Sequence, residues 1–363
     1  MGYNLRIALG WITIVAVVIS VSSYFLSLGV GVAIIASTQL GAGLSALNGH
    51  LLVYAFLLPI RTPLEVNGWW LVLSSMIIFV ICFVKGATSN GGFSSGLRLL
   101  LPGSRPHSLP NWLVIMPILG SSLFLVSIAL ALIQLGAGVP TGNLTCPPGT
   151  SPDVCAAELF AGIVTAPVFE EIGFRISPIG LVVAILVAVR LGKGTAQTSE
   201  TKSRKIVIFF SAFISPGYAK EKSGLPSIAT SGIKGISKGE WVFLFLTAVV
   251  FGAYHILGGG GWGPGKFLTA ALSGFALGVV YLAYGAFADI LLHWLFNFYL
   301  YVYSVYTGFN GIFVTFGDLA ALGTLALGVW GIIIGVKWLR EKKPQPVTPM
   351  PFSTAGDSPA PIV

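Results

Sequence analysis

"CAAELFAGIVTAPVFEEIGFRISPIGLVVAILVAVR", residues 155–190, is apolar over most of its length yet carries Glu170, Glu171 and Arg175 near its middle. A helix crosses a bilayer with about 20 apolar residues, and this run is far longer. Pro167 and Pro178 flank the charged triplet. Proline removes a backbone donor and crowds the preceding turn, so the run is expected to be a helix kinked or broken around the acidic motif. Backbone groups freed at that depth need cover from protein or a wet cavity.

The rest of the chain has the same character. Its 363 residues are 55% hydrophobic and 9% charged, with mean hydropathy +0.89. Soluble domains carry about 25% charged residues, so a soluble fold is excluded. Further apolar runs near 11–36, 44–60, 70–85, 111–136, 241–258, 267–285, 287–305 and 318–338 read as spans. The run 11–36 is too long for a signal-peptide core and lacks a small-residue cleavage site. The fold class is therefore an all-α polytopic membrane protein with about eight or nine transmembrane helices around a polar catalytic cavity. The expected organisation is N-terminal transmembrane helices (1–136), an outward loop (137–154) and a catalytic membrane core (155–305) with a basic cytoplasmic insert (192–240). A C-terminal transmembrane helix (306–340) and a disordered tail (341–363) rich in Pro, Ser and Thr complete it.

Charge sets the expected orientation. Eight of the twenty Lys and Arg lie in 193–240 and four more in 337–343. Basic loops face the cytoplasm, which places the insert, the tail and loop 86–110 (Arg98, Arg105) inside. Loop 137–154 has neither Lys nor Arg and reads as outside. These clusters fit anionic lipid rather than nucleic acid, since no RNA-binding aromatic motif accompanies them. Nine spans put the N-terminus outside, whereas Arg6 favours inside, so one of the first two runs is a candidate for a split or re-entrant segment. Within the insert, "KIVIFFSAFI" (205–214) reads as an interfacial helix. Cys146 and Cys155 would form a disulfide if their loop faces outward, with two free thiols as the alternative. Asn143-Leu144-Thr145 agrees with an outward loop. Cys82 sits in an apolar run and reads as inert. The expected setting is a multi-pass protein of a prokaryotic plasma membrane, or an ER-type membrane in a eukaryote.

Each ionisable residue within a span costs about 2.5–3.5 kcal/mol on insertion scales and needs a reason. Glu171 and Arg175 share a helical face at a spacing that favours an ion pair. Glu170 lies about 100° around the helix without a local partner. Spacing alone leaves two readings equal: a buried salt bridge that fixes packing, or an ion pair beside a reactive carboxylate. Of four histidines, His50 and His107 lie near loops and read as incidental. His255 and His293 lie in spans, within "FGAYH" (251–255) and "HWLFN" (293–297), so Phe251 shares a face with His255 and Asn297 with His293. A base, imidazoles and an amide donor together suit general base catalysis with oxyanion stabilisation. The other class is a non-catalytic transporter, proton relay, or immunity or binding factor that uses the same polar cluster structurally; no inverted repeat supports a transporter.

Glu170-Glu171-x-x-x-Arg175, Phe251-x-x-x-His255 and His293-x-x-x-Asn297 resemble, in order, the three motifs of the CAAX protease and bacteriocin-processing family of intramembrane proteases. "AALSGFALGVVYLAYGAFADILLHWLFN" (270–297) resembles its glycine-rich span followed by its His-x-x-x-Asn span. The resemblance covers roughly 155–300 and implies an intramembrane endopeptidase acting on a membrane-embedded or lipidated peptide, such as a prenylated CAAX tail. It implies Glu170 as general base, with His255 orienting or sharing the proton and His293 and Asn297 stabilising the oxyanion. Glu171 and Arg175 would hold the first motif, and Phe251 would pack beside His255. No cofactor is expected; the alternative is a zinc ion on Glu170, His255 and His293, disfavoured because Asn297 suits an oxyanion better than a metal.

Two features depart from the family. The interval between Glu170 and His255 is longer, by the insert 192–240, which could gate, recruit substrate or be inert. Asp289, one turn before His293, could orient that imidazole or simply stabilise the helix start. By span boundaries His255 lies near the outer end of its helix and His293 near the inner end of its own, so tilt, offset or breaks must bring them together. The cavity is expected to open to the cytoplasm. "GGWGPGK" (260–266) has the spacing of a phosphate loop, but Phe267 follows Lys266 and no strand precedes it, so it reads as an interhelical loop.

Overall fold

The computed structural model describes residues 3–102, 109–142, 149–193, 201–258, 261–299, 301–303 and 311–340. Cys146, Asn143, Arg105, His107 and the tail 341–363 lie outside the described residues. Six helices are long and apolar enough to cross a membrane. They are α1 (Tyr3–Ser37), α3 (Gly68–Thr88), α5 (Trp112–Gly136), α6 (Pro152–Glu171, running on into the turn that follows), α11 (Lys238–Leu257) and α12 (Lys266–Tyr284). Shorter elements complete the bundle: α2 (Leu40–Ala46), α4 (Phe93–Arg98), α7 (Pro178–Gly192), α8 (Lys202–Ile214), α9 (Pro216–Lys222), α10 (Ile228–Ser231), α13 (Ala286–Trp294) and α14 (Gly311–Arg340). The chain is an integral, multi-pass, all-α membrane protein.

One expected span is not a helix. The run 44–60 enters a hairpin of β1 (Asn48–Ala55) and β2 (Leu58–Asn67), paired antiparallel from Asn48–Asn67 at its base to Ala55–Leu58 at its tip. Pro59 and Pro63 cannot donate within a helix. The turn residues Phe56 and Leu57 both take positive φ (47° and 69°), which non-glycine side chains adopt at a cost. With one crossing removed, the N-terminus joins the basic end of the bundle: Gly10 packs against Leu100 and Leu101, just past α4.

The hairpin is re-entrant in contact, its tip reaching the break in the long acidic run. That break is a π-helical turn, Ile172–Ile176, in which the Ser177 N–H donates to the Ile172 carbonyl. In this register the Gly173 carbonyl would next take the N–H of residue 178, which is proline. The Leu57 N–H donates to it instead (3.1 Å), joined by the Ser177 hydroxyl (3.2 Å). Phe56 N–H completes the contact by donating to Ser177 Oγ (2.9 Å). Gly173 has no side chain because Tyr54 packs against its Cα, where a Cβ would overlap it. We therefore expect Gly173→Ala to displace the hairpin tip and destabilise the fold by about 1–3 kcal/mol, read as a lower thermal midpoint in detergent.

The described part of the insert, 201–240, is folded against the bundle. Lys220 is buried and donates to Glu240 (2.7 Å) and to the Gly235 carbonyl (2.6 Å). Ser237 and Glu240 form a capping box that starts α11. Tyr281 of α12 donates to the Phe213 carbonyl (2.8 Å), fastening α8 to the core. The expected interfacial helix is α8, with Ile206, Val207, Phe210 and Ile214 exposed.

Candidate active site

The first motif ends α6 and enters the π-turn. Arg175 Nη1 donates to Glu171 Oε1 (2.9 Å), and both side chains are fully buried. Arg175 also donates to the Gly274 carbonyl of α12 (3.1 Å) and lies 4.4 Å over the Phe251 ring. A side chain at Gly274 would crowd both Arg175 and Phe251. The glycine-rich stretch thus admits a guanidinium between helices, where it is bonded and stacked at once.

Glu171 does more than pair with Arg175. The same Oε1 receives His293 Nδ1–H at 2.5 Å. A carboxylate can only accept, so this bond fixes His293 with its proton on Nδ1 and leaves Nε2 for the cavity. Asn297 Nδ2 donates to Nε2 at 3.2 Å, and Glu170 Oε2 lies 3.6 Å from it. A second π-turn, Leu295–Tyr299, carries Asn297. The Asp289 carboxyl is buried against that of Glu171 rather than on the imidazole. Among the described residues neither of its oxygens has a hydrogen-bond partner. The orienting carboxylate of His293 is Glu171, on another helix.

His255 lies in the last turn of α11 and donates Nδ1–H to the Phe251 carbonyl (2.8 Å). That bond also fixes its tautomer and leaves Nε2 as an acceptor. Phe251 spans the offset between the two histidines: its ring is 4.6 Å from that of His255 and 5.9 Å from that of His293. The helices meet because Phe251, a turn below His255, is level with His293.

Two connected cavities hold these groups. One, of about 270 Å³, is lined by Phe251, His255, Lys266, His293 and Asn297. The other, of about 440 Å³, is lined by Glu170, Tyr254, His255, Lys266 and Asn297, and runs past Glu158 and Trp262. Glu170 Oε2 is buried and accepts no hydrogen bond from any described residue. The mouth lies where α6 begins, α11 ends and α12 starts. That is the end of the bundle opposite the insert, whereas the sequence placed insert and opening on one side.

Glu170, His255 and His293 do not make a zinc set: among the described residues no three carboxylate, imidazole or thiol groups converge as ligands. Two residues at the site escaped the sequence reading. Lys266, set aside with a false phosphate loop, lines both cavities and stacks its ammonium 4.2 Å from the Trp262 ring. Its loop is pinned by Gly263 N–H on the Thr141 carbonyl and Gly265 N–H on that of Pro140. Tyr254, one residue before His255, hydrogen-bonds Tyr54 of the hairpin (2.7 Å).

Residues 152–299 match the family model Type II CAAX prenyl endopeptidase Rce1-like, a family of membrane endopeptidases. No curated protein and no solved structure matches the chain. The match begins with α6 and ends with the second π-turn, so it encloses all three motifs. The stretch of the chain from residue 152 to 299 is a domain of the Rce1-like type II CAAX prenyl endopeptidase family.

Proposed function

We propose that this chain is an intramembrane endopeptidase that hydrolyses a peptide bond with a Glu170-activated water, without a metal. The observation that carries the reading is the Glu170 carboxylate: it faces a cavity shared with His255 and Asn297, and no described donor occupies its Oε2. A buried acceptor left open in a polar cavity is suited to hold water.

Water bound to Glu170 transfers a proton to the carboxylate as its oxygen bonds to the scissile carbonyl carbon. The carbonyl becomes an oxyanion. Asn297 uses one N–H on His293 and keeps a second for that oxygen. His255 Nε2 accepts from the same water and steadies its lone pair toward the substrate. His293 Nε2, 3.6 Å from Glu170, can take the proton while Glu171 holds the resulting imidazolium from behind. The C–N bond then breaks, the proton passes to the leaving nitrogen, and an acid and an amine result. Arg175 holds Glu171 beside Phe251, and Asp289 lies buried next to Glu171, so both position rather than react.

The substrate is a membrane-embedded or lipidated peptide, in keeping with the family. Comparing the peptides of membranes carrying wild type with those carrying Glu170→Gln would identify it as the uncut species; identical peptide sets would overturn the reading. Lys266 is the cationic group common to both cavities, and it acts electrostatically on Glu170. It is expected to bind an anionic group of the substrate. Lys266→Ala should raise KM about 10-fold or more, the loss of a charged hydrogen bond of about 1.5–3 kcal/mol, with kcat less affected.

A further inference from the structure

The two ends of the bundle differ in charge, and the cavity opens at only one of them. At the end opposite the mouth, α12 finishes and α13 starts against the insert: Tyr281 bonds to Phe213 and Gly285 abuts the Ile214 carbonyl. Arg6, Lys85, Arg98, Arg190 and Lys193 lie at that end together with the lysines of the insert. There α8 sets its exposed Ile206, Val207, Phe210 and Ile214 beside Lys202 and Lys205, the make-up of a helix lying on an anionic leaflet. Each basic residue near such a surface is favoured by about 1 kcal/mol.

The mouth end is the reverse. Among the described residues its charged side chains include Arg61, Lys266, Glu65, Asp153 and Glu158. Cys155, in the first turns of α6 at this same end, is disulfide-bonded, whereas Cys82 within α3 is free. Disulfides persist in oxidising compartments and basic loops stay in the cytoplasm. Two independent signals therefore point the same way.

We propose that the catalytic cavity opens on the non-cytoplasmic face of the membrane. Its substrate class is then a membrane-anchored segment of a translocated protein, presented from outside, rather than a lipidated tail held in the cytosol. The substrate part rests on the proteolytic reading above; the orientation does not. It reverses the cytoplasmic opening expected from sequence and keeps the cytoplasmic insert.

The test uses the full chain in intact cells, with its native cysteines in place. Ala137→Cys puts an exposed thiol at the mouth end, and Ser203→Cys puts one on the insert. A membrane-impermeant maleimide should label Ala137→Cys in intact cells and Ser203→Cys only after lysis. Labelling of Ser203→Cys in intact cells, or protection of Ala137→Cys until lysis, would overturn the orientation. Val139→Cys and Lys202→Cys repeat the reading at the same two ends should one of the first variants fail to fold. Correct labelling in a protein that cleaves nothing would sink the proteolytic reading and leave the orientation standing.

Discussion

Glu170→Gln is expected to lower the cleavage rate by about 10²–10⁴-fold, the usual worth of a positioned general base. Glutamine keeps the shape of the side chain but cannot take a proton from water. Because Glu170 has no described donor on its Oε2 and borders a cavity, glutamine in its place breaks no hydrogen bond to that oxygen. The variant should therefore extract from membranes in normal yield, with a thermal midpoint close to that of the wild type. Full activity in a well-folded Glu170→Gln protein would remove the mechanism.

Glu171→Ala should give the opposite pattern. It strips Arg175 of its partner in a fully buried site and frees His293 Nδ1 at the same time. Breaking a buried ion pair costs about 3–5 kcal/mol, a large share of the 5–15 kcal/mol that holds a typical protein together. The expected readout is loss of monodisperse protein on extraction and a sharply lower thermal midpoint. Normal yield with a merely slower rate would show that the pair positions the site without supporting the fold. The two adjacent glutamates thus separate experimentally into one that costs rate and one that costs structure.

That separation was legible in the sequence, because spacing along a helix decides which neighbours can touch. Glu171 and Arg175 pair as the i, i+4 rule requires, and Glu170 points elsewhere. The break before Pro178 was legible too, since proline removes a donor at a known place, whereas α6 runs through Pro167 without one. What the sequence hid was long-range. Nothing local to Glu171 indicates that His293, on a helix far along the chain, shares its Oε1. Nothing near Asp289 indicates that it faces Glu171 instead of its own helical neighbour.

A split or re-entrant segment among the first two runs was anticipated, but its strand pairing was missed for a physical reason. "LLVYAFLLPI" (51–60) reads as apolar as any span, and its turn is Phe56-Leu57 instead of the Asn-Gly that announces such turns. Tertiary bonds to Gly173 and Ser177 hold those two residues in a conformation their side chains disfavour. Pro59 and Pro63 were the available signal. Lys266 was overlooked because its motif was judged only against phosphate binding.

The Gly173 carbonyl has a consequence for how the protein can be divided. Its hydrogen-bond donor is the backbone of Leu57, which lies outside the stretch matched by the family. A fragment cut to residues 152–299 would lose that backbone donor and leave the carbonyl only the Ser177 hydroxyl, which it shares with the Ile172 carbonyl, in surroundings where a poorly met acceptor is costly. The smallest unit that keeps this bond therefore extends back through the hairpin, and the boundary of sequence kinship is not the boundary of the packed structure.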